Sequence, residues 1–406
     1  MRASFCFMRF IFLIGLLCPF QWVQSQTQPN SYNLKNGISR PNTLATHPFG
    51  ILFYTLPQNF KESPDPSATI GLQFNSGNVW GQPVTTFLPS DENIRQQLEN
   101  IPFFSRIFEF DESNLPSESY SFQYDGVIKD IRLVLGFPVG KQNEVTLTAR
   151  SFLLTDGTFP FSFVTSDRFI EFFHRNIAGG DDPFGRERLG LDQAGIRYVD
   201  RNGREFDIAK NEFVFSGIEG AYYLYSNPNN ANLFFNLGFH IGANLSRLNS
   251  SLDLGLSFNG LKKYRLTSNS DFRIGTGIGI LRRDLVNFNT NQTDLGTSNY
   301  FGNLEAHLEY SKKSRGGTFH SFGINYRIQT PYNNKAEEDY YVPFSPTRIA
   351  RWHEASRHLY RFPSYWSFIY TITKKVEFSI YLQQDLLVNN TPDIQTGLQL
   401  RIPVFL

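Results

Sequence analysis

The stretch Leu233-Phe234-Phe235-Asn236-Leu237-Gly238-Phe239-His240-Ile241 decides how the chain is read. Leu233, Phe235, Leu237, Phe239 and Ile241 alternate with Phe234, Asn236, Gly238 and His240. Successive side chains of a strand point to opposite sides, so this period of two makes one apolar face and one largely polar face. The pattern recurs down the chain. Ile274, Ile278 and Ile280 alternate with Arg273, Gly275, Gly277 and Gly279, and Leu304, Leu308 and Tyr310 with Glu305, His307 and Glu309. Phe322, Ile324 and Tyr326 alternate with Gly323, Asn325 and Arg327, and Phe378, Ile380 and Leu382 with Glu377, Ser379 and Gln383. The final segment sets Leu398, Leu400, Ile402 and Val404 against Gly397, Gln399 and Arg401.

About twelve such segments are expected, near 68–80, 122–137, 143–154, 212–226, 232–243, 252–266, 270–282, 299–311, 318–330, 364–373, 376–387 and 394–405, with ends good to ~2–4 residues. At roughly 10–13 residues they are long for a soluble sandwich, where about 5–6 is usual. A tilted strand needs ~9–11 residues to cross a bilayer. The connections alternate in length. Long ones near 81–121, 155–211, 283–298 and 331–363, with a medium one near 244–251, are interleaved with short turns at Gly140-Lys141-Gln142-Asn143, Asn227-Pro228-Asn229-Asn230, Ser268-Asn269, the stretch from Lys312 to Gly317, and Lys374-Lys375. Long loops on one rim and short turns on the other are how outer-membrane barrels are built. A soluble all-β fold predicts neither the loop alternation nor the strand length. The expected fold is therefore all-β, an antiparallel up-and-down transmembrane β-barrel of about twelve strands. It has short periplasmic turns, long extracellular loops and one short helix in the longest loop. Tyr222, Tyr223, Tyr225, Tyr264, Tyr300, Tyr310, Tyr365, Trp366 and Tyr370 sit near strand ends, where aromatic girdles are expected.

Composition agrees. Of 406 residues 16% are aromatic, yet the mean hydropathy is −0.31, which excludes a bundle of membrane helices. Lys+Arg 38 against Asp+Glu 37 leaves no bias toward nucleic acid. Residues 1–25 read as a cleavable secretory signal peptide, with Arg2 and Arg9 before a short apolar core, and imply export to the outer membrane. Both cysteines, Cys6 and Cys18, lie in it, so the mature chain has no thiol for a disulfide, a nucleophile or a zinc site. Residues 26–64 read as an N-terminal polar segment and 65–406 as the barrel, with 155–211 as a plug or lid.

No G-x-S-x-G or His-Asp-Ser signature is present, so the chain is not expected to be an enzyme. Asp200-Arg201-Asn202-Gly203-Arg204-Glu205 looks like a calcium loop but lacks its middle and terminal acids, and Asn202-Gly203 favours a hairpin instead. If the apolar faces meet lipid, Arg273, Glu305, His307, Glu309, Arg327, Glu377 and Arg401 face the lumen. They either pair with one another and fill it or line a wet channel. Within the longest loop, Ser166 caps an expected helix bearing Asp167, Ile170, Glu171, Phe173 and His174, which covers the rim or folds inward. His174 with Asp181 and Asp182 reads as a solvated acidic turn rather than a cation site.

The run Asp167-Arg168-Phe169-Ile170-Glu171-Phe172-Phe173-His174, and Thr391-Pro392-Asp393-Ile394 after Gln384-Asp385, resemble the outer-membrane barrel proteins grouped as domain of unknown function 3187. The resemblance runs over about 65–405 and implies a fold and a location rather than an activity. The expectation is an outer-membrane barrel in contact with lipid, passing or binding a small solute, with no cofactor, metal or nucleic acid. The alternatives are a structural or adhesive barrel with a filled lumen, and an envelope enzyme.

Overall fold

The computed structural model describes residues 34–44, 49–85, 121–158, 162–180, 190–199, 204–228, 232–289, 292–332, 341–345, 348–351, 362–384 and 394–404. All lie in one compact unit spanning 33–405. The signal-peptide reading of 1–25, Asp181, Asp182 and the Thr391-Pro392-Asp393 run lie outside the described residues.

The strands are β1 (Ala68–Thr85), β2 (Ser121–Val139), β3 (Asn143–Thr155), β4 (Gly195–Val199), β5 (Glu205–Ala209), β6 (Phe213–Ser226), β7 (Leu233–Leu245), β8 (Ser250–Thr267), β9 (Ser270–Asn287), β10 (Tyr300–Lys313), β11 (Phe319–Gln329), β12 (Tyr341–Ser345), β13 (Arg348–Arg351), β14 (Ser364–Thr373), β15 (Glu377–Gln384) and β16 (Ile394–Val404). Twelve of them close into an antiparallel barrel. Each pairs with the next strand of the wall, and β1 completes the ring by pairing with both β16 and β2. Closure leaves no unpaired sheet edge, the condition for strands to cross a bilayer. Two short hairpins are additional. β4–β5 extends the wall at the long-loop rim, where β4 pairs with Ser121–Asp125 of β2 above the end of β3. β12–β13 forms its own small sheet.

Inside and outside are inverted relative to a soluble protein. The exposed side chains include Leu254, Leu256, Phe258, Ile278, Ile280, Leu304, Leu308, Phe322 and Phe368. The buried ones on the same strands include Asp253, Asn259, Arg273, Glu305, His307, Asn325 and Arg327. Apolar residues facing out and charges facing in are the polarity of a transmembrane barrel.

Parity corrects the aromatic girdle. Tyr264, Tyr300, Tyr310 and Trp366 point outward, but Tyr223, Tyr225 and Tyr365 are buried, because they fall on the other parity of β6 and β14. The segment 26–64 gains a place that its sequence did not give it. Its described part does not stand apart from the barrel: it threads the lumen, with Leu34, Ile38, Phe49, Leu52, Phe53, Tyr54, Leu56 and Phe60 all buried.

Candidate functional site

The lumen is the site, and the described residues 34–44 and 49–67, together called the plug, fill it. Its path follows from its partners. At the short-turn rim Leu34 N–H donates to the Lys374 carbonyl at 3.1 Å, and Arg401 donates to the Leu34 carbonyl at 3.2 Å. Lys35 then pairs with Glu309 at 2.7 Å, and Ser39 Oγ donates to Glu377 at 2.7 Å. Arg40 grips Glu305 with both a 2.5 Å and a 2.7 Å bond, and Leu44 N–H donates to Gln395 at 3.1 Å. At the far rim Arg150 donates to the carbonyls of Ile51 and Phe53, and Asn249 to that of Leu52. The chain then descends. Tyr54 OH bonds His240 Nδ1 at 2.7 Å, Asn303 donates to the Leu56 carbonyl at 3.0 Å, and Asn59 donates to Tyr225 OH at 2.8 Å. At the bottom Lys61 pairs with Glu144 at 2.6 Å and Asp65 at 2.7 Å. Both ends of this plug therefore sit at the same rim, and its turn reaches the other.

Two kinds of wall surface receive it. Along β9 the inward positions Gly275, Gly277 and Gly279 form a groove: a Cβ at Gly275 would meet the Phe60 ring at 2.9 Å, and one at Gly277 would meet Gln58 at 2.7 Å. A Cβ at Gly279 would collide with Leu56. At the long-loop rim the contact is apolar. Phe49, Ile51, Leu52 and Phe53 pack with Val79, Tyr124, Phe152, Ile196, Tyr198, Phe206 and Ile208, so β4–β5 lays its inner face on the turn of the plug. Phe49 meets Tyr198 and Phe206 edge-on, with ring centres 5.1 and 5.3 Å apart. Arg283, wholly buried, lies against the rings of Phe53, Phe301 and Tyr332 at 4.9, 4.6 and 4.5 Å rather than on a carboxylate. Such cation–ring contacts strengthen when desolvated.

The seven lumen-facing candidates all lie on the inner wall, and six of them are salt-bridged. Glu305 is bracketed by Arg40 from the plug and Arg327 from β11, the latter at 2.6 Å. Arg327 also donates to the Thr55 carbonyl at 2.7 Å. Arg273 meets Glu62 at 3.2 Å and Glu309 at 3.5 Å. Arg401 meets Asp65 at 2.9 Å and Glu377 at 3.2 Å. His307 differs, for neither ring nitrogen has a hydrogen-bond partner, and the ring lies edge-on to Phe60 at 6.2 Å. Missed from sequence were the plug's own Lys35, Arg40, Lys61 and Asp65, which lie in a stretch without periodicity. Asp65 is buried, which disfavours its charge, but Lys61 and Arg401 outweigh burial and hold its carboxyl down at about 2.

The loop helix α1 (Asp167–Phe173) runs on into a π-helical turn, His174–Ala178, and ends at Gly179 in the left-handed conformation. Ser166 caps it, accepting from Phe169 N–H. Asp167, Ile170 and Glu171 are buried, Phe173 is exposed and His174 half-buried. Asn78 of β1 donates to Asp167 at 2.8 Å, and Lys129 of β2 donates to Ser76 at 2.7 Å and to Ser162. The described parts of the 155–211 excursion, α1 and β4–β5, thus close one side of the mouth and raise the wall, while the plug comes from the chain before β1. Asn202-Gly203 lies outside the described residues, but the hairpin it was expected to make is present, with Val199 opposite Glu205.

Little room remains. The cleft between the plug's two arms and the wall, lined by Arg40, Leu44, Thr55, Pro57, Arg327 and Tyr365, has essentially no volume a water molecule could occupy. Among the described residues no three His, Cys, Asp or Glu are grouped to hold a metal ion.

No family model matches the sequence, and no curated protein matches it. Solved structures similar to the chain include an outer membrane channel from Pseudomonas putida F1, at 10% identity and TM-score 0.39, with 84% of this chain and 97% of that one covered. The transport unit of the autotransporter AIDA-I from Escherichia coli aligns at 9% identity and TM-score 0.36, covering 84% and 91%. LpxR from Salmonella typhimurium aligns at 7% identity and TM-score 0.34, covering 83% and 100%.

Proposed function

We propose that the protein is an outer-membrane channel for a small polar solute, held shut at rest by residues 34–67. The observation that carries this reading is how the plug is held. Along both arms it is fixed to the wall mainly by hydrogen bonds and ion pairs, with apolar packing concentrated at its turn. Water and a polar solute can take the place of such bonds on both partners at once, each neutral one contributing only about 0.5–1.5 kcal/mol net and each one to a charged group about 1.5–3 kcal/mol, whereas a buried apolar plug face has no such substitute. Both ends of the plug lie at the short-turn rim, so it can withdraw without passing a free end through the barrel. The wall it would leave carries both signs of charge in alternation, which suits a zwitterionic or uncharged polar solute rather than an apolar one.

The filled lumen equally favours a second reading, a permanently closed structural or adhesive barrel whose long loops meet a partner. Bilayer conductance separates the two. The chain's only cysteines, Cys6 and Cys18, lie in the segment read as a signal peptide, so Tyr54→Cys with Gly242→Cys, where a Cβ at Gly242 would lie 3.1 Å from that of Tyr54, makes the one disulfide available, pinning the plug to β7. Under the channel reading the reduced protein shows openings that oxidation abolishes. A second variant lacking residues 34–62 conducts steadily. If the deletion variant retains the heat-shifted gel mobility of a folded barrel and passes no current, the channel reading fails.

A further inference from the structure

The short-turn rim carries exposed Lys141, Arg265, Lys312, Lys313, Arg315, Lys374 and Lys375. Four of the five short turns, or the strand ends beside them, hold at least one of these residues. Among the described residues that rim exposes no Asp or Glu, and none of the seven cations makes an ion pair. The acids nearby, Glu62, Glu144, Asp271 and Glu377, are instead engaged by Lys61, Lys263, Arg273 and Arg401 at the foot of the plug. The near-neutral chain therefore hides a polarised one. The sequence 86–120, between the end of β1 and the start of β2, has seven Asp and Glu against two Arg.

Parity shows what these cations meet. Outward positions on β10 run Leu304, Leu308, Tyr310 and then Lys312. On β14 they run Trp366, Phe368, Tyr370 and Ile372, and the next outward position is Lys374. Each column passes from aliphatic or aromatic residues to a cation without leaving the lipid-facing side. Lys262, on the outward parity of β8, lies 5.9 Å from the ring of Tyr264, so at this rim a lipid-facing cation and a girdle ring share one level, while Lys313, on the lumen parity of β10, lies 5.7 Å from the Phe319 ring. Aromatic rings mark the headgroup layer of a bilayer, and cations just beyond them stand among the phosphates.

We infer that this collar is a binding surface for anionic phospholipid, with phosphatidylglycerol-type headgroups bridging Lys312, Lys313, Arg315, Lys374 and Lys375. It would fix the depth of the barrel and the leaflet its short turns face. The inference rests on the outer-membrane assignment and is independent of whether the lumen conducts. The test uses spin-labelled lipids with the full-length protein in phosphatidylcholine vesicles, comparing the immobilised fractions of phosphatidylglycerol and phosphatidylcholine. Each basic residue near an anionic surface contributes on the order of 1 kcal/mol before screening, so a preference of about threefold or more for phosphatidylglycerol is expected. It should fall toward one in K312Q/K313Q/R315Q/K374Q/K375Q and, for the native chain, in 1 M salt. The milder K374Q/K375Q, scored in parallel, should lose part of the preference while keeping the folded gel mobility. Equal affinity for both lipids in the native protein overturns the inference. So does a preference that both variants retain. Binding of the native chain to peptidoglycan sacculi that the variants lose, with lipid preference untouched, also overturns it and assigns the collar to the cell wall.

Discussion

Glu305 shows how the lumen holds together at the scale of one residue. It is wholly buried and accepts from Arg40 on one side and Arg327 on the other, so a single carboxylate offsets part of two guanidinium charges and ties plug to wall. Removing one member of a buried charge cluster leaves the others without compensation, typically at a cost of about 3–5 kcal/mol. Glu305→Gln should therefore lower the thermal unfolding midpoint and raise the open fraction in bilayers; a variant with unchanged midpoint and current would show that the cluster does not hold the plug. Asp65 makes a prediction about acid. Its carboxyl is depressed from its ordinary 3.8 to about 2, so the anchoring it shares with Lys61 and Arg401 is fully present above pH 4 and lost as pH falls toward 2. Tryptic access to Lys61 should stay flat between pH 8 and pH 5. Openings in a bilayer should rise below pH 4 in the native chain, and Asp65→Asn should show no such acid step. The inner-wall charges were legible from sequence because a strand's parity assigns each residue to a face. Their partners on the plug were not, since Lys35, Arg40, Lys61 and Asp65 sit in extended chain with no period to read.

At the scale of elements, β9 explains a feature of the sequence that alternation alone left open. Its polar face is glycine at three successive inward positions, Gly275, Gly277 and Gly279, although glycine weakens a strand. The plug supplies the reason, for Phe60, Gln58 and Leu56 occupy the space that side chains there would need. Gly277→Val should leave the wall folded, because valine suits a strand, while its Cβ would come within 2.7 Å of Gln58 on the plug and of Asn259 on β8, whose side chain can turn into the space left when the plug is absent. An overpacked site of this kind costs about 1–3 kcal/mol. The expected outcome is a higher open probability in the full chain and no added effect when residues 34–62 are absent. An equal loss of stability in both backgrounds would place the strain in the wall instead. The twelve wall strands were legible for the reason the plug was not: each must show lipid one face and the lumen the other, and that demand writes period two into the sequence. The strand ends were less so, because β9 runs on to Asn287, and ladder pairing at a rim needs no apolar alternation. The short α1 was legible through its Ser166 cap, yet where it lies depends on Asn78 and Lys129, far away in sequence.

For the whole molecule the deciding question is what the outer face meets. A soluble barrel would bury the face that carries Ile278, Ile280, Leu304 and Phe322, whereas here these side chains stand out and ion pairs stand in. The two environments make opposite claims about one substitution. Ile278 lies near the middle of β9, is 56% exposed and points away from the plug. Facing water, an exposed isoleucine replaced by arginine changes stability by no more than about 0.5 kcal/mol. Facing hydrocarbon at mid-depth, the same change costs ~2–4 kcal/mol, falling to about 0–1 near the headgroups. Arginine should therefore be scanned along outward positions of β9 and β10, at Ile278, Leu304 and Leu308, with a control at Lys312, already a cation at the rim. Folding free energies measured by urea titration in lipid vesicles should fall most at Ile278 and be nearly unchanged for Lys312→Arg. A flat profile along the column would mean that the apolar outer face is covered by protein rather than lipid, and the channel and collar readings would both lose their premise. A peak at mid-strand would instead fix the depth of the barrel and place the basic collar at the level of the phosphates.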